Sequence, residues 1–429
     1  MSYCVKLRGA VMAVLLGGGA ALVASSGALA SEAPPGADVE SLLRLARQHN
    51  PEYATMRHEA SAASERIEPA GALPDPKLRM ELQDITKGGE QNASIWPGRV
   101  GSTRYTLMQD VPWFGKRGLQ RELAASQADG AQARVLGAWV DIAAGIKLAH
   151  AQLYLAYQNE GLTREILDLM GRLERVAQVR YAGGLAAQAD AIRAQMELTN
   201  LGNELIMLDN EKRMLQSRLN MLLARPADAP LAQPERLRAL PASTQLTLAA
   251  LQARARAHNP RLFADGANVQ AAEKSRELTY LNRYPDFTFG IAPIQSRTRV
   301  MDWELMVEIN IPLQQSSRRA QEREAQAMLD AARARKEATA NQVLAELAEN
   351  LSALDAARRS EALVGGSLLP QAELTFKAAL AGYENGKLDF STLLDAQRQI
   401  RQAKLQLIKA QVEAQTRLAV IERFVGEDL

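Results

Sequence analysis

Two spacings of apolar positions run through this 429-residue chain. Lys77-Leu78-Arg79-Met80-Glu81-Leu82-Gln83 alternates polar and apolar without error, and Trp303 to Ile311 does so with Met306 as the one exception. Phe287, Phe289 and Ile291 share one face of a third segment, as Tyr105, Leu107 and Val111 do in a fourth. A period of two predicts strands with one apolar face. Elsewhere the step is three or four. Leu198, Leu201, Leu205, Leu208, Leu215, Leu219 and Leu222 form one seam, interrupted by Lys212; Ile400, Ala403, Leu407, Ala410, Ala414, Leu418, Ile421 and Val425 form another. Such heptad-like seams predict long helices that need partner helices. No proline occurs from Trp113 to Arg225. A helix from Trp113 to Tyr181 would reach ~100 Å at about 1.5 Å per residue, implying a coiled-coil-like or tubular assembly. Pro370 interrupts the second long helical run, where a kink or a break into two stacked helices is expected.

The order of elements is written twice. Ala46-Arg47-Gln48-His49-Asn50-Pro51 reappears as Ala255-Arg256-Ala257-His258-Asn259-Pro260, and Pro74-Asp75 as Pro285-Asp286. Leu107-Met108 followed by Val111-Pro112 reappears as Leu305-Met306 followed by Ile311-Pro312. Tyr181-Ala182-Gly183-Gly184 reappears as Tyr383-Glu384-Asn385-Gly386. Landmarks in one order at near-constant separation mark a tandem duplication. The predicted organisation is a leader over residues 1–30, a first repeat over 31–225, a proline-rich linker over 226–245 and a second repeat over 246–429. Each repeat reads as a moderate helix (Val39 to Ala70, Leu246 to Tyr280), two strands and a long helical hairpin. The fold class is mainly α with a small β part.

Strands of about 10 residues match a tilted bilayer crossing, but one apolar face equally suits a soluble sheet packed on helices. In the membrane reading, four strands cannot close a barrel, for which about eight is the practical minimum. An open sheet in lipid leaves unpaired edges, so several copies must share one barrel. Thr86 to Gly101 and Gln295 to Asp302 then read as external loops. Trp96, Trp113 and Trp303 read either as interface aromatics or as packing residues.

Composition narrows the function. Aromatics are 5% of residues, and 51 basic against 49 acidic side chains leave a net charge of +2, with no global field for nucleic acid. Lys6 and Arg8, the apolar run Val11 to Val23 and Ala28-Leu29-Ala30 form a secretory leader, the alternative being an N-terminal anchor. Cys4, the only cysteine, lies within it. The four histidines, His49, His58, His150 and His258, assemble no catalytic or metal motif, and no P-loop or Gly-x-Ser-x-Gly is present. No enzyme activity, cofactor or resident metal is expected.

The order leader, helix, strand pair, helical hairpin, linker and the same again resembles the TolC-like outer-membrane efflux proteins over the whole mature chain. Tyr181-x-x-Gly184-Leu185 and Tyr383-x-x-Gly386, the latter followed by Leu393-Leu394-Asp395-Ala396-Gln397, are similar to the family's repeated hairpin tip. Val111-Pro112-Trp113-Phe114-Gly115-Lys116-Arg117 is similar to its strand-to-helix junction, with Pro112 and Pro312 marking the two junctions. The resemblance implies a homotrimer in outer-membrane lipid: a transmembrane β-barrel with four strands from each chain, above a periplasmic α-helical barrel. It implies a periplasmic adaptor and an inner-membrane pump of the RND type. The adaptor would dock at tip residues Gly184, Leu185, Gly386 and Lys387. Asp395 matches one of the family's acidic gate positions, with Asp389 as a helper; Thr392 stands where another aspartate is often found, which weakens a double ring. Pairing of Asp395 with Arg398 or Gln399 on a solvated face is the competing reading. Pro74-Asp75-Pro76-Lys77-Leu78 and the Pro112 junction are similar to the heavy-metal branch. Met80, Met108, Met301 and Met306 near the barrel suit copper(I) or plain packing. A type I secretion outlet and a non-pore periplasmic coiled-coil scaffold are the rival functions.

Overall fold

The computed structural model describes residues 34–86 and 93–429; the leader with Cys4, and part of the first loop, lie outside the described residues. Asp38 opens helix α1 (Val39–His49) by accepting from Ser41 N at 2.6 Å. The single helix expected over Val39 to Ala70 is three: α1, α2 (Pro51–Glu65) and α3 (Ile67–Gly71). Asn50 precedes proline, takes an extended backbone and caps α2 through Tyr53 N at 3.0 Å. The second repeat breaks at the same place, into α6 (Leu248–His258) and α7 (Pro260–Leu281), with Asn259 accepting from Arg261 N and Leu262 N. Both asparagines also reach across their own repeat. Asn50 Nδ2 donates to Leu222 O and Asn259 Nδ2 to Phe424 O, each at 2.8 Å. The duplicated Asn-Pro is therefore a splice between the helix break and the returning arm of the hairpin.

The first hairpin is α4 (Lys116–Ala182, 67 residues) and α5 (Gln188–Leu222). Of its seam, Leu201, Leu208 and Leu219 are buried and Leu198, Leu205, Leu215 and Leu222 half-buried, while Lys212 escapes burial cost by reaching Glu160 on α4 at 2.6 Å. The second hairpin is α8 (Gln315–Leu363), a π-helical turn (Val364–Leu368), α9 (Leu369–Glu384) and α10 (Phe390–Val425). Pro370 produces no break. The π turn lies immediately before it, and its wider ring makes room for proline against the carbonyls of the preceding turn.

Each repeat has its own core beneath its moderate helix. In the first, Leu42 and Ala46 meet Ile142, Ile146, Leu153 and Leu219. In the second, Leu251 and Ala255 meet Leu347, Leu354, Ile421 and Phe424. The repeats join where α4 packs on α7 and α10, leaving α5 at one flank and α8 with α9 at the other.

Four strands form one antiparallel sheet in chain order: β1 (Lys77–Gln83), β2 (Ser102–Val111), β3 (Asp286–Ser296) and β4 (Arg299–Asn310). The loop expected over Gln295 to Asp302 is mostly strand. It contracts to a turn at Arg297 and Thr298, with Arg297 at φ 55, beside a bulge at Ile294/Gln295. Among the described residues, no helix is long and apolar enough to cross a membrane.

Candidate functional site: an apolar sheet face and two hairpin tips

The sheet carries its apolar side chains on an uncovered face. Leu78, Leu107, Ile291 and Leu305 stand opposite or diagonal to one another across the four strands, 73%, 49%, 46% and 78% exposed. Met80, Phe289, Val307, Ile309 and Trp303 extend the band. A soluble sheet packed on helices would have buried this face, so that reading fails. The other face is polar and paired. Lys77 meets Asp110 at 2.7 Å, and Arg104 bridges Glu81 and Glu304. Met306, the exception to the alternation, lies on this side. It packs with Met108 into the space left by Gly290, whose added Cβ would stand 3.0 Å from Met306 Cε. Met108 and Met306 thus have packing roles, while Met80 and Met301 are exposed.

The junction between sheet and helices is a lock between the repeats. Pro112 ends β2, and Gly115 at φ 86 turns the chain into α4, a conformation that suits glycine. Asp286 accepts from Trp113 N at 2.7 Å and from the buried Lys116 Nζ at 2.8 Å. Trp113 stacks on Tyr284, with ring centroids 5.0 Å apart and 7° between planes. Trp113 is therefore a packing residue, whereas Trp96 and Trp303 are exposed. Pro312, the second junction, precedes Leu313, which is 81% exposed.

At the far end of the hairpins the two tips share one backbone design. Gly184 (φ 70) and Gly386 (φ 69) end the descending helices. Leu185 N donates to Arg180 O and Lys387 N to Gly382 O, both at 2.8 Å, and Gly184 N and Gly386 N close the inner bonds to Tyr181 O and Tyr383 O. This is a Schellman motif, and the left-handed glycine is its requirement. Gly184, Leu185, Gly386 and Lys387 are all exposed.

The side chains of the tips differ. Tyr181 is exposed, but Tyr383 is buried edge-on against Phe390 at 5.5 Å, and burial raises its phenol pKa. Arg180 of the first tip donates to Tyr383 O at 2.8 Å and to Glu384 O, with its guanidinium 5.0 Å from the Tyr383 ring centre. One arginine clasps the two hairpins together. Sequence reading missed it, and its only signal was its place beside the repeated tyrosine.

Asp389 is the N-cap of α10. It accepts from Thr392 N at 3.1 Å and from the Ser391 and Thr392 hydroxyls, which lower its carboxyl pKa to about 2. Asp395, nearly two turns on, is exposed and forms no ion pair or hydrogen bond among the described residues. Arg398 pairs instead with Glu197 on α5 at 2.7 Å. Arg401 meets Glu204, and Lys404 meets Glu165 at 3.2 Å, so a basic edge of α10 is zipped to the first hairpin. Among the described residues, no cluster of three or more His, Cys, Asp or Glu could hold a metal.

Residues 251–427 match the family described as outer membrane efflux protein. The chain is 25% identical over 395 residues to the cobalt-zinc-cadmium resistance protein CzcC of Cupriavidus metallidurans, covering 90% of each. Its fold is similar to that of the outer membrane protein VceC of Vibrio cholerae (TM-score 0.77, 18% identity, 91% of this chain and 96% of that one). It is also similar to a membrane protein of Pseudomonas aeruginosa (TM-score 0.79, 18% identity, 92% and 91%).

Proposed function

The chain belongs to the TolC-like outer membrane efflux protein family, and from that premise we propose that three copies form one passive conduit from periplasm to exterior, with metal cations as cargo. It is an efflux channel of the outer membrane with a periplasmic helical extension, not an enzyme. The observation that carries the trimer is the open four-stranded sheet with its exposed apolar band. In hydrocarbon the free edges of β1 and β4 would leave backbone groups unsatisfied at several kcal/mol each, a cost that closure with sister strands removes. TolC-like channels form trimers. A non-pore scaffold has no use for such a band.

The cargo follows from the relative whose name includes cobalt, zinc and cadmium resistance. Such cargo would travel through the channel as cations. Three copies of Asp395 around the narrow end would concentrate negative potential and favour them. Asp389, exposed at the same end, adds a further carboxylate there. Transport energy comes from an inner-membrane pump of the RND type, reached through a periplasmic adaptor seated on the exposed tips at Gly184, Leu185, Gly386 and Lys387. Purified protein in a planar bilayer should open cation-preferring conductances, and cells lacking it should accumulate cobalt, zinc or cadmium. Silent bilayers would refute the conduit, and unchanged metal content the cargo.

A further inference from the structure

The duplication is kept in the hydrogen-bond register, residue for residue. A shift of 211 carries β1 onto β3 (Pro74-Asp75 onto Pro285-Asp286), and a shift of 200 carries β2 onto β4 (Val111-Pro112 onto Ile311-Pro312). Under these shifts every pair of the first hairpin becomes a pair of the second. Lys77↔Met108 becomes Thr288↔Glu308, Met80↔Tyr105 becomes Ile291↔Leu305, and Gln83↔Ser102 becomes Ile294↔Asp302. Within the sheet the two repeats meet through β2 and β3, while the outer edges of β4 and β1 have no strand partner among the described residues. In a closed ring of identical chains, β4 of one copy must meet β1 of the next. The same two shifts, applied to the β2–β3 pairs, then supply a register.

Gln109↔Phe289 becomes Ile309↔Leu78, Leu107↔Ile291 becomes Val307↔Met80, and Met108↔Gly290 becomes Glu308↔Arg79. Chemistry not used in that transposition agrees with it. Ile309, Val307, Leu78 and Met80 all lie on the exposed apolar face, so the band continues across the joint. On the polar face Glu308 comes opposite Arg79. Glu308 has no ion pair among the described residues, and Arg79 only the long 3.9 Å contact to Glu81. A one-residue slip would turn apolar side chains onto the polar face, and a two-residue slip would set Arg79 against Met306 or Asn310.

The junction transposes as well. Asp286, which accepts Trp113 N, becomes Asp75; Trp113 becomes Leu313; and Tyr284, on which Trp113 stacks, becomes Leu73. Asp75 has no hydrogen bond or ion pair among the described residues, and Leu313 and Leu73 are 81% and 42% exposed. Each lacks within the chain what its counterpart has. Lys116 becomes Ser316, so the lock between copies lacks the second cation of the internal one.

Resting on the homotrimer reading, we infer that β4 pairs antiparallel with β1 of the next copy in the register that sets Glu308 opposite Arg79, and that Leu313 N donates to the next copy's Asp75. Directly opposed residues have Cβ atoms about 4.5–5.5 Å apart and diagonal ones about 7–8 Å, so disulfide formation reads register. In a Cys4→Ser background, Arg79→Cys with Glu308→Cys should oxidise to covalent dimers and trimers at least about tenfold more than Arg79→Cys with Met306→Cys or with Asn310→Cys. Intact trimers in which a slipped pair cross-links as well or better would overturn the register alone. If the Cys4→Ser parent forms no trimer, the homotrimer reading fails with it. Charge exchange gives a second readout should cysteine impair assembly. Arg79→Glu and Glu308→Arg should each lower the temperature at which the trimer dissociates, and the double exchange should restore it; absence of restoration contradicts the pairing.

Discussion

Replacing Leu305 by Arg puts a guanidinium at the middle of the apolar band. Leu305 is 78% exposed in the isolated chain and pairs with Ile291, whose other neighbour is Leu107. If that face meets hydrocarbon, an arginine near the bilayer midplane costs about 2–4 kcal/mol per chain, or about 6–12 kcal/mol over three copies, before any snorkelling toward the headgroups. The matched control is Asp302→Arg, a larger charge change on the same strand but opposite Ile294, on the face that carries Glu304 and Glu308. The assay is the yield of heat-resistant trimer in detergent-extracted outer membranes at equal expression. Leu305→Arg should lose most of the trimer and Asp302→Arg little of it. Equal yields, or a larger loss for Asp302→Arg, would show that the band does not face lipid.

Asp395→Ala should raise single-channel conductance and weaken cation preference; unchanged traces would remove Asp395 from the gate. Asn259→Ala removes a helix cap and orphans the buried Phe424 carbonyl, together about 2–4 kcal/mol, read as earlier proteolysis near His258 and a lower unfolding midpoint. Asn50→Ala should act in the same direction, since Asn50 also caps a helix, through Tyr53 N, and donates to Leu222 O. The Asp389 cap has a folded pKa of about 2, below its ordinary 3.8, so its stabilisation is complete above about pH 4 and fades as pH falls toward 2. Amide exchange in the first turn of α10, corrected for intrinsic rate, should be flat from neutral pH to about 4 and rise only below; a rise near neutral pH would contradict the cap.

Periodicity made the strands and seams legible because both are local. Leu78-Arg79-Met80 can hold its alternation in no other regular structure, and the leucines of α5 need only their own helix to align. The duplication was legible too, although the Leu-Met pairs were a misleading landmark: in the paired hairpins the repeat equivalent of Leu107 is Val307, not Leu305. What stayed hidden was decided between distant segments. The Arg180–Tyr383 clasp joins residues 203 apart in sequence, and nothing near either announces it. The zip of Arg398, Arg401 and Lys404 reads as a solvated face until α5 and α4 are laid against α10. Pro370 reads as a kink or a break because a straight α-helix cannot absorb it, and nothing in the periodicity announces the π turn at Val364–Leu368 that lets the helix run on. The tyrosines of the two tips looked equivalent, yet only Tyr383 has Phe390 following to bury it.

The central claim is that one chain supplies a fraction of a closed wall. Native mass measurement of the detergent-extracted protein, after removal of lipid, tests it directly. Three copies in one particle is the predicted result. A single copy, stable in buffer without detergent, would contradict it.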